Sequence, residues 1–243
     1  MMRNDDGSGT RQEILGAAAE IIGTYGYFAA SVDRIITLAQ VAPGELYSQF
    51  DSKDALAQEI IAVRDQRAAE VRRAAASSGA PALETLIDES MALAALRDSD
   101  VFCLAGDRLL REVDDTWDVV AASRTRDRAE FALLLRDARR EGHLAGGSEG
   151  QPDAVDAETG GTGTGGREGR AQAQEDALAQ VVLAAVIGAG VSARAVRDAR
   201  DAVTVLERLW LLLLPGLVPE HLRPRYIDAV GRSARLHRRQ QLP

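Results

Sequence analysis

The 243-residue chain (26.0 kDa) is 46% hydrophobic, 27% charged and only 4% aromatic, with a net charge of −8. That length and apolar fraction fit one or two compact domains with a sizeable core, while the acidic balance argues at first against nucleic acid as a partner. The longest apolar run, Leu209–Leu214, is closed by Pro215 well short of the roughly 18 residues that a membrane span needs, so no membrane partner is expected.

Met1–Thr10 is polar and acidic and lacks the apolar core of an export signal, so a cytoplasmic chain is expected. Thr10 with Glu13 fits a capping box, after which Ile14, Ala18, Ile21 and Tyr25 follow one helical face as far as Gly26. Ser31 can cap a short helix over Val32–Ala39, with Val32, Ile35 and Ile36 turned inward. After a break at Gln40–Ala42, Pro43 and Gly44 open another short helix that reaches Phe50. Asp51 or Ser52 caps a long helix over Lys53–Ala76, which ends at Ser77–Gly79.

Beyond Pro81, Leu83, Leu86, Ile87, Met91 and Leu93 mark a further amphipathic helix. Val101–Val113 and Trp117–Glu141 follow, the last closed by Gly142. Residues 145–170 hold nine glycines and no aromatic residue and are expected to form a flexible insert. Helical patterns resume over Glu175–Val191, Ala199–Leu214 and the basic Arg223–Arg239. No sustained alternation suggests a strand, and the fold class is all-α.

The second and third helices, separated by so short a break, make a helix-turn-helix arrangement. The stretch Thr10–Glu59 resembles the DNA-binding domain of TetR-type regulators. The agreement lies in Ile14, the alanines at 17 to 19, Gly26-Tyr27, Val32 with Ile35, Val41, Gly44, the Leu46-Tyr47-x-x-Phe50 run, and Ser52-Lys53 with Leu56. The later chain resembles the γ-butyrolactone receptor-like branch of that family through Leu86-Ile87-Asp88 and ERLWLLLLPGLVP (Glu207–Pro219), followed by Arg225-Tyr226.

The resemblance implies a DNA-binding domain over 9–55 and a helical regulatory and dimerisation domain over 56–239. It also implies a homodimer that binds a double-stranded DNA operator and is released by a small lipophilic ligand. Pro43–Phe50 would enter the major groove, with Arg34, Ala42, Pro43, Gly44, Tyr47, Gln49 and Lys53 as the DNA-binding residues. Tyr47 and Gln49 would meet phosphates, Gly44 would permit close approach, and Lys53 would add charge at the start of the next helix. Plainer readings stand beside two of these: Tyr47 packed on the first helix, and Lys53 a solvated charge.

This sequence departs from the family pattern at four neighbouring positions. Gln40 stands where glycine usually makes the left-handed turn, at a cost of about 1 kcal/mol if that backbone is kept. Ala42 replaces a capping serine or threonine, Pro43 replaces a basic residue, and Glu45 brings negative charge towards a negative groove. Over residues 1–55, Arg3, Arg11, Arg34 and Lys53 against Asp5, Asp6, Glu13, Glu20, Asp33, Glu45, Asp51 and Asp54 leave a net charge of −4. Weak non-specific affinity follows from that balance.

The resemblance further implies a ligand pocket whose apolar candidates are Leu86, Met91, Phe102, Leu110, Trp117 and Phe131. A stripe at helical spacing is more often plain core than a pocket wall, and each of these residues has that reading beside it. The tryptophan common in butyrolactone receptors has Asp127 at the matching position here, with Trp117 ten residues earlier. The apolar segments Val181–Ile187 and Val203–Leu214 are the expected dimer surfaces.

Other signals point elsewhere only weakly. Gly161-x-Gly163-x-x-Gly166 fits a dinucleotide pattern but follows no strand. The arginines at 223, 225, 232, 235, 238 and 239 read as a solvated face, and Cys103 as a buried structural thiol. With one cysteine and the scattered histidines His143, His221 and His237, neither a metal nor another cofactor is expected. No nucleophile–base pairing recommends an enzyme. The competing reading is a protein of the same fold that has lost DNA binding and acts as a ligand-binding or heterodimer partner.

Overall fold

A computed structural model describes residues 6–145, 177–190 and 201–239, which contain helices and turns and no strand. The helices are α1 (Asp6–Tyr25), α2 (Val32–Ala39), α3 (Pro43–Gln49), α4 (Lys53–Ala76), α5 (Ala82–Ser99), α6 (Val101–Glu112) and α7 (Asp118–Arg140). Then come α8 (residues 177–190), α9 (Ala202–Leu217), a 3-10 turn (Glu220–Leu222) and α10 (Arg223–Arg239). The insert expected from residue 145 onward, and the glycine pattern within it, lie outside the described residues apart from Ala145.

Local chemistry explains most boundaries. Ser31 Oγ accepts the Arg34 N–H at 3.3 Å, and Ser52 Oγ, not Asp51, caps α4 by accepting from Ala55 at 3.1 Å. Asp100 and Asp201 cap α6 and α9 at 2.9 and 2.6 Å. Two boundaries differ from expectation. α1 starts at Asp6, so Thr10 lies within the helix rather than at its cap. α9 runs through Pro215 to Leu217, because the proline sits exposed in the final turn and Val218 N–H still closes onto Leu214 O at 2.9 Å.

The chain divides into two compact units that do not follow chain order. The first contains α1–α4, α5 from Ala92, α6, and α7 as far as Asp127. The second contains the start of α5, the rest of α7, and α8–α10.

The core of the first unit joins Ile14, Ala18 and Ile22 of α1 to Ile35, Leu46, Phe50, Leu56, Ile60, Ile61 and Leu109. α6 fits against α4 at Gly106, where a Cβ would lie 2.6 Å from Arg64 Cβ. Arg64 is buried, and its guanidinium is ringed by acceptors. Nε donates to Asp107 at 2.7 Å, Nη2 to Asp127 at 2.9 Å and Nη1 to Asp65 at 3.0 Å. Arg97 also pairs with Asp107, and Arg72 with Asp127 at 2.5 Å.

In the second unit, buried Trp210 donates to Ser90 Oγ at 2.9 Å, and Glu141 accepts the Ala82 N–H that opens α5. α10 is held by Asp88, which accepts from Ser233 Oγ at 2.7 Å and lies 3.0 Å from His237 Nε2.

Burial alone would raise the pKa of Asp107, but the guanidiniums of Arg97 and Arg64 outweigh it and hold the carboxyl down at about 2, against an ordinary 3.8. A carboxylate depressed in the folded state contributes stability above its unfolded pKa and loses it as pH falls through the folded value. Asp107→Asn therefore costs about 3 kcal/mol at neutral pH, since two buried guanidiniums lose a counter-charge. Urea midpoints of the two proteins should converge as pH drops from about 4 to about 2; a gap unchanged over that window contradicts this assignment.

Candidate nucleic-acid interface

The α2–α3 pair is a helix-turn-helix held by its apolar faces. Ile35 and Leu46 are fully buried and Phe50 nearly so, which fixes α3 against α1 and α4. Between the two helices Gln40 adopts φ 56° and ψ 38°, a left-handed conformation that the glycine-free turn keeps at the expected cost. Ala42 offers no side-chain cap to α3. Glu45 compensates by accepting the Ala42 N–H on Oε2 at 2.7 Å, so its charge is engaged at the positive end of its own helix.

The exposed surface of α3 carries Pro43, Gly44, Glu45, Tyr47 and Ser48, with Ala42 just before them. Tyr47 is 58% exposed, so it is not packed onto the first helix. Gly44 lies open, with no atom within 4 Å of where a Cβ would stand. Gln49 is half-buried, and its carbonyl accepts from Arg11 Nη1 at 2.6 Å. Arg34 is exposed on α2 with its guanidinium 5.0 Å above the Tyr25 ring, beside an open groove of about 570 Å3 between α1 and α2.

Lys53 is committed elsewhere. Its ammonium donates to Tyr27 O and Ala30 O, each at 3.1 Å, and lies 4.2 Å from the Tyr27 ring centre. It is therefore a tie between the α1–α2 loop and α4, neither a solvated charge nor a free phosphate contact. Two of its three donors are used, leaving one for an anion.

Arg11, which sequence reasoning missed, anchors the end of α3. Besides Gln49 O it pairs with Glu59 and stacks 4.1 Å from the Phe50 ring centre. Its partners stand 38 and 48 residues away, so no local pattern marks it.

α6 supports this assembly from behind. Arg108 Nη1 donates to the carbonyls of Gly23 and Thr24 at 3.1 and 2.9 Å, capping α1. Its partner Glu112 accepts the Tyr27 N–H at 2.7 Å. Gly26, at φ 90°, leaves room for the Glu112 carboxylate, which a Cβ would meet at 2.7 Å. The Tyr27 hydroxyl donates to Asp54, and burial first, then that carboxylate, pushes the phenol above its ordinary pKa.

The apolar candidates for a ligand pocket fall in both units. Leu86, Met91 and Phe131 are buried in the second. Leu110, Phe102 and Trp117 belong to the first. There Leu110 joins the core, Phe102 lies 4.8 Å under the Arg67 guanidinium, and Trp117 meets Tyr27 edge-on at 5.4 Å. Asp127 is an ion-pair partner of Arg64 and Arg72.

Among the remaining candidates, the C-terminal arginines are partly paired: Arg232 with Glu84 and Arg238 with Glu207, both at 2.6 Å. Burial, with Asp107 nearby, pushes the Cys103 thiol up to about 11, as expected of an unreactive cysteine. Ser233, Asp88 and His237 meet, but the serine donates to the carboxylate that lies between it and the imidazole, so this is not a nucleophile–base pair.

Residues 14–60 match the family model for bacterial regulatory proteins of the tetR family. The amino-terminal domain is a tetR-family domain. The HTH-type transcriptional regulator UidR of Escherichia coli K12 is 44% identical over 59 residues, which cover 24% of this chain and 30% of UidR. The chain thus aligns with less than a third of that curated relative. Among solved structures, a gamma-butyrolactone receptor (ArpA-like protein) superposes with a TM-score of 0.71 at 22% identity, over 95% of this chain and 98% of that one. CprB of Streptomyces coelicolor, solved in complex with its biological operator sequence, superposes with a TM-score of 0.72 at 23% identity over the same shares. At those identities the likeness is one of fold, and it extends well beyond the tetR-family domain. No helix of the described residues is long and apolar enough to cross a membrane.

The left-handed Gln40 gives the turn a direct test. Gln40→Gly should raise the unfolding free energy by about 1 kcal/mol, whereas β-branched Gln40→Val should lower it by at least as much. Thermal melts followed by circular dichroism check both signs, and equal melting temperatures for the three proteins would refute the strained turn.

Proposed function

We propose that the chain is a cytoplasmic, non-enzymatic transcriptional repressor that binds double-stranded operator DNA as a homodimer and is released by a small lipophilic ligand. In this reading residues 9–55 are the DNA-binding part and 56–239 the regulatory and dimerising part. The observation that carries it is the exposed α3 surface, with Ala42, Pro43, Gly44 and Tyr47 outward while Leu46 and Phe50 hold the helix from behind. Such a helix fits a major groove, where Tyr47 and Gln49 at its end and Arg34 on α2 fix phosphates. The CprB operator complex, on the same fold, lends support.

The dimer surface is assigned to the exposed apolar residues Val181 and Ile187 of α8 and Leu211 and Leu212 of α9, the last 77% exposed. For the ligand, Leu86, Met91 and Phe131 in the second unit are the proposed wall, and a γ-butyrolactone carrying an alkyl chain is the proposed class, by analogy with the gamma-butyrolactone receptor of similar fold.

One observation favours a second reading, in which DNA binding has been lost and the protein serves as a ligand-binding or heterodimer partner. The net −4 over residues 1–55 is aggravated by the commitment of Lys53 to two carbonyls. Selection of duplexes from a random pool by the purified protein separates the two. The repressor reading expects one enriched palindromic sequence, and an unenriched pool hands the case to the second.

The scarcity of cations also sets the salt dependence. With Arg34 and one donor of Lys53 per protomer, a dimer neutralises about four phosphates, so log K should fall with log[salt] at a slope of roughly −4. A slope steeper than about −8 would mean that other cations carry the contact. Leu212→Glu should yield a monomer in sedimentation velocity and weaken operator binding at least about tenfold. A dimer of unchanged affinity would rule out this surface.

A further inference from the structure

Glu45 is the one charged side chain on the exposed surface of α3, and it is held in a defined position. Oε2 accepts the Ala42 N–H at 2.7 Å, while Ser48 Oγ donates to the Glu45 carbonyl at 2.7 Å, fixing the same turn. Its other carboxylate oxygen, Oε1, has no hydrogen-bond partner among the described residues and lies on an exposed residue. The self-cap thus leaves an acceptor-only oxygen on an exposed residue of the helix that the proposed function puts in the major groove.

Such a group discriminates among base edges. Guanine presents N7 and O6 acceptors and thymine its O4, all of which repel a carboxylate. Adenine sets an N7 acceptor beside its N6 donor, whereas cytosine presents only its N4 amino donor. The other exposed residues of α3 are Pro43, Gly44, Tyr47 and Ser48, so the helix itself carries no cation to neutralise the carboxylate or to read guanine in its place. We infer that Glu45 is a specificity-determining residue that reads the N4 amino group of a cytosine, once in each half-site of a two-fold operator. This rests on the DNA-binding reading above. It also gives a use to a negative charge that otherwise only weakens attraction to the phosphates.

Glu45→Gln separates this role from a purely structural one. The amide oxygen can still accept the Ala42 N–H, preserving the cap and the fold, but the side chain becomes a donor and acceptor suited to adenine N6 and N7. Selection from a random duplex pool should enrich one cytosine per half-site with the wild-type protein. With Glu45→Gln it should enrich adenine at that position, and with Glu45→Ala no base there, while the flanking positions stay the same. In fluorescence anisotropy, replacing that C·G pair by T·A in both half-sites should weaken the wild type at least about fivefold and leave Glu45→Ala within about twofold. Identical base preferences in all three proteins would overturn the inference while leaving DNA binding intact. A wild-type pool with no enriched position at all would instead bring down the DNA-binding reading and this inference together.

Discussion

The first unit is organised around one buried cation. Arg64 is taken out of water where α4, the end of α5, α6 and the start of α7 converge, and an isolated guanidinium there would be prohibitively costly. The structure meets that cost by spreading its donors over Asp107, Asp127 and Asp65, two of which are shared with Arg97 and Arg72. Planar guanidinium forks suit such sharing: Asp107 gives one oxygen to Arg64 and the other to Arg97, while Asp127 Oδ1 accepts from both Arg64 and Arg72. Gly106 completes the arrangement, because only a residue without a side chain lets the α6 backbone approach the stem of Arg64 so closely.

From that anchor α6 reaches forward to the helix-turn-helix. Arg108 and Glu112 hold the C-terminal end of α1 and the following loop, and the same helix packs along α4 through Ala105 and Leu109. A displacement of α6 would therefore carry α1 and α4 with it, and with them the surfaces on which Ile35, Leu46 and Phe50 rest. The ionic cluster and the apolar core consequently meet on α4 and α6.

The candidate interface economises on positive charge. Lys53 and Arg11, both of which a sequence reader counts towards DNA attraction, are used inside the domain: Lys53 closes the α1–α2 loop onto α4, and Arg11 pins the end of α3. What faces outward is a small, mostly neutral surface built on Gly44, Tyr47 and Ser48 and capped by Glu45. Shape and hydrogen bonding then carry more of any recognition than phosphate neutralisation does, which favours discrimination between sequences over general affinity.

Period and capping chemistry were enough to locate α2, α3 and α4, because Ser31, Pro43 and Ser52 act within a turn of themselves. The resemblance to the TetR-type pattern pointed to the strained position at Gln40 and the missing cap at Ala42, and the backbone of the interhelical turn bears both out. The amino acid order therefore determined the all-helical class and the helix-turn-helix, whereas the outward turn of Tyr47 was decided by the packing of α3 on α1 and α4. That order did not determine the partners of charged side chains. That Asp127 pairs with Arg64 and Arg72, that Arg11 reaches Gln49 and Glu59, and that Lys53 gives two of its donors to carbonyls all depend on which helices cross. A long side chain finds its counter-charge across tens of residues of sequence, and only the tertiary packing brings the two within hydrogen-bond reach.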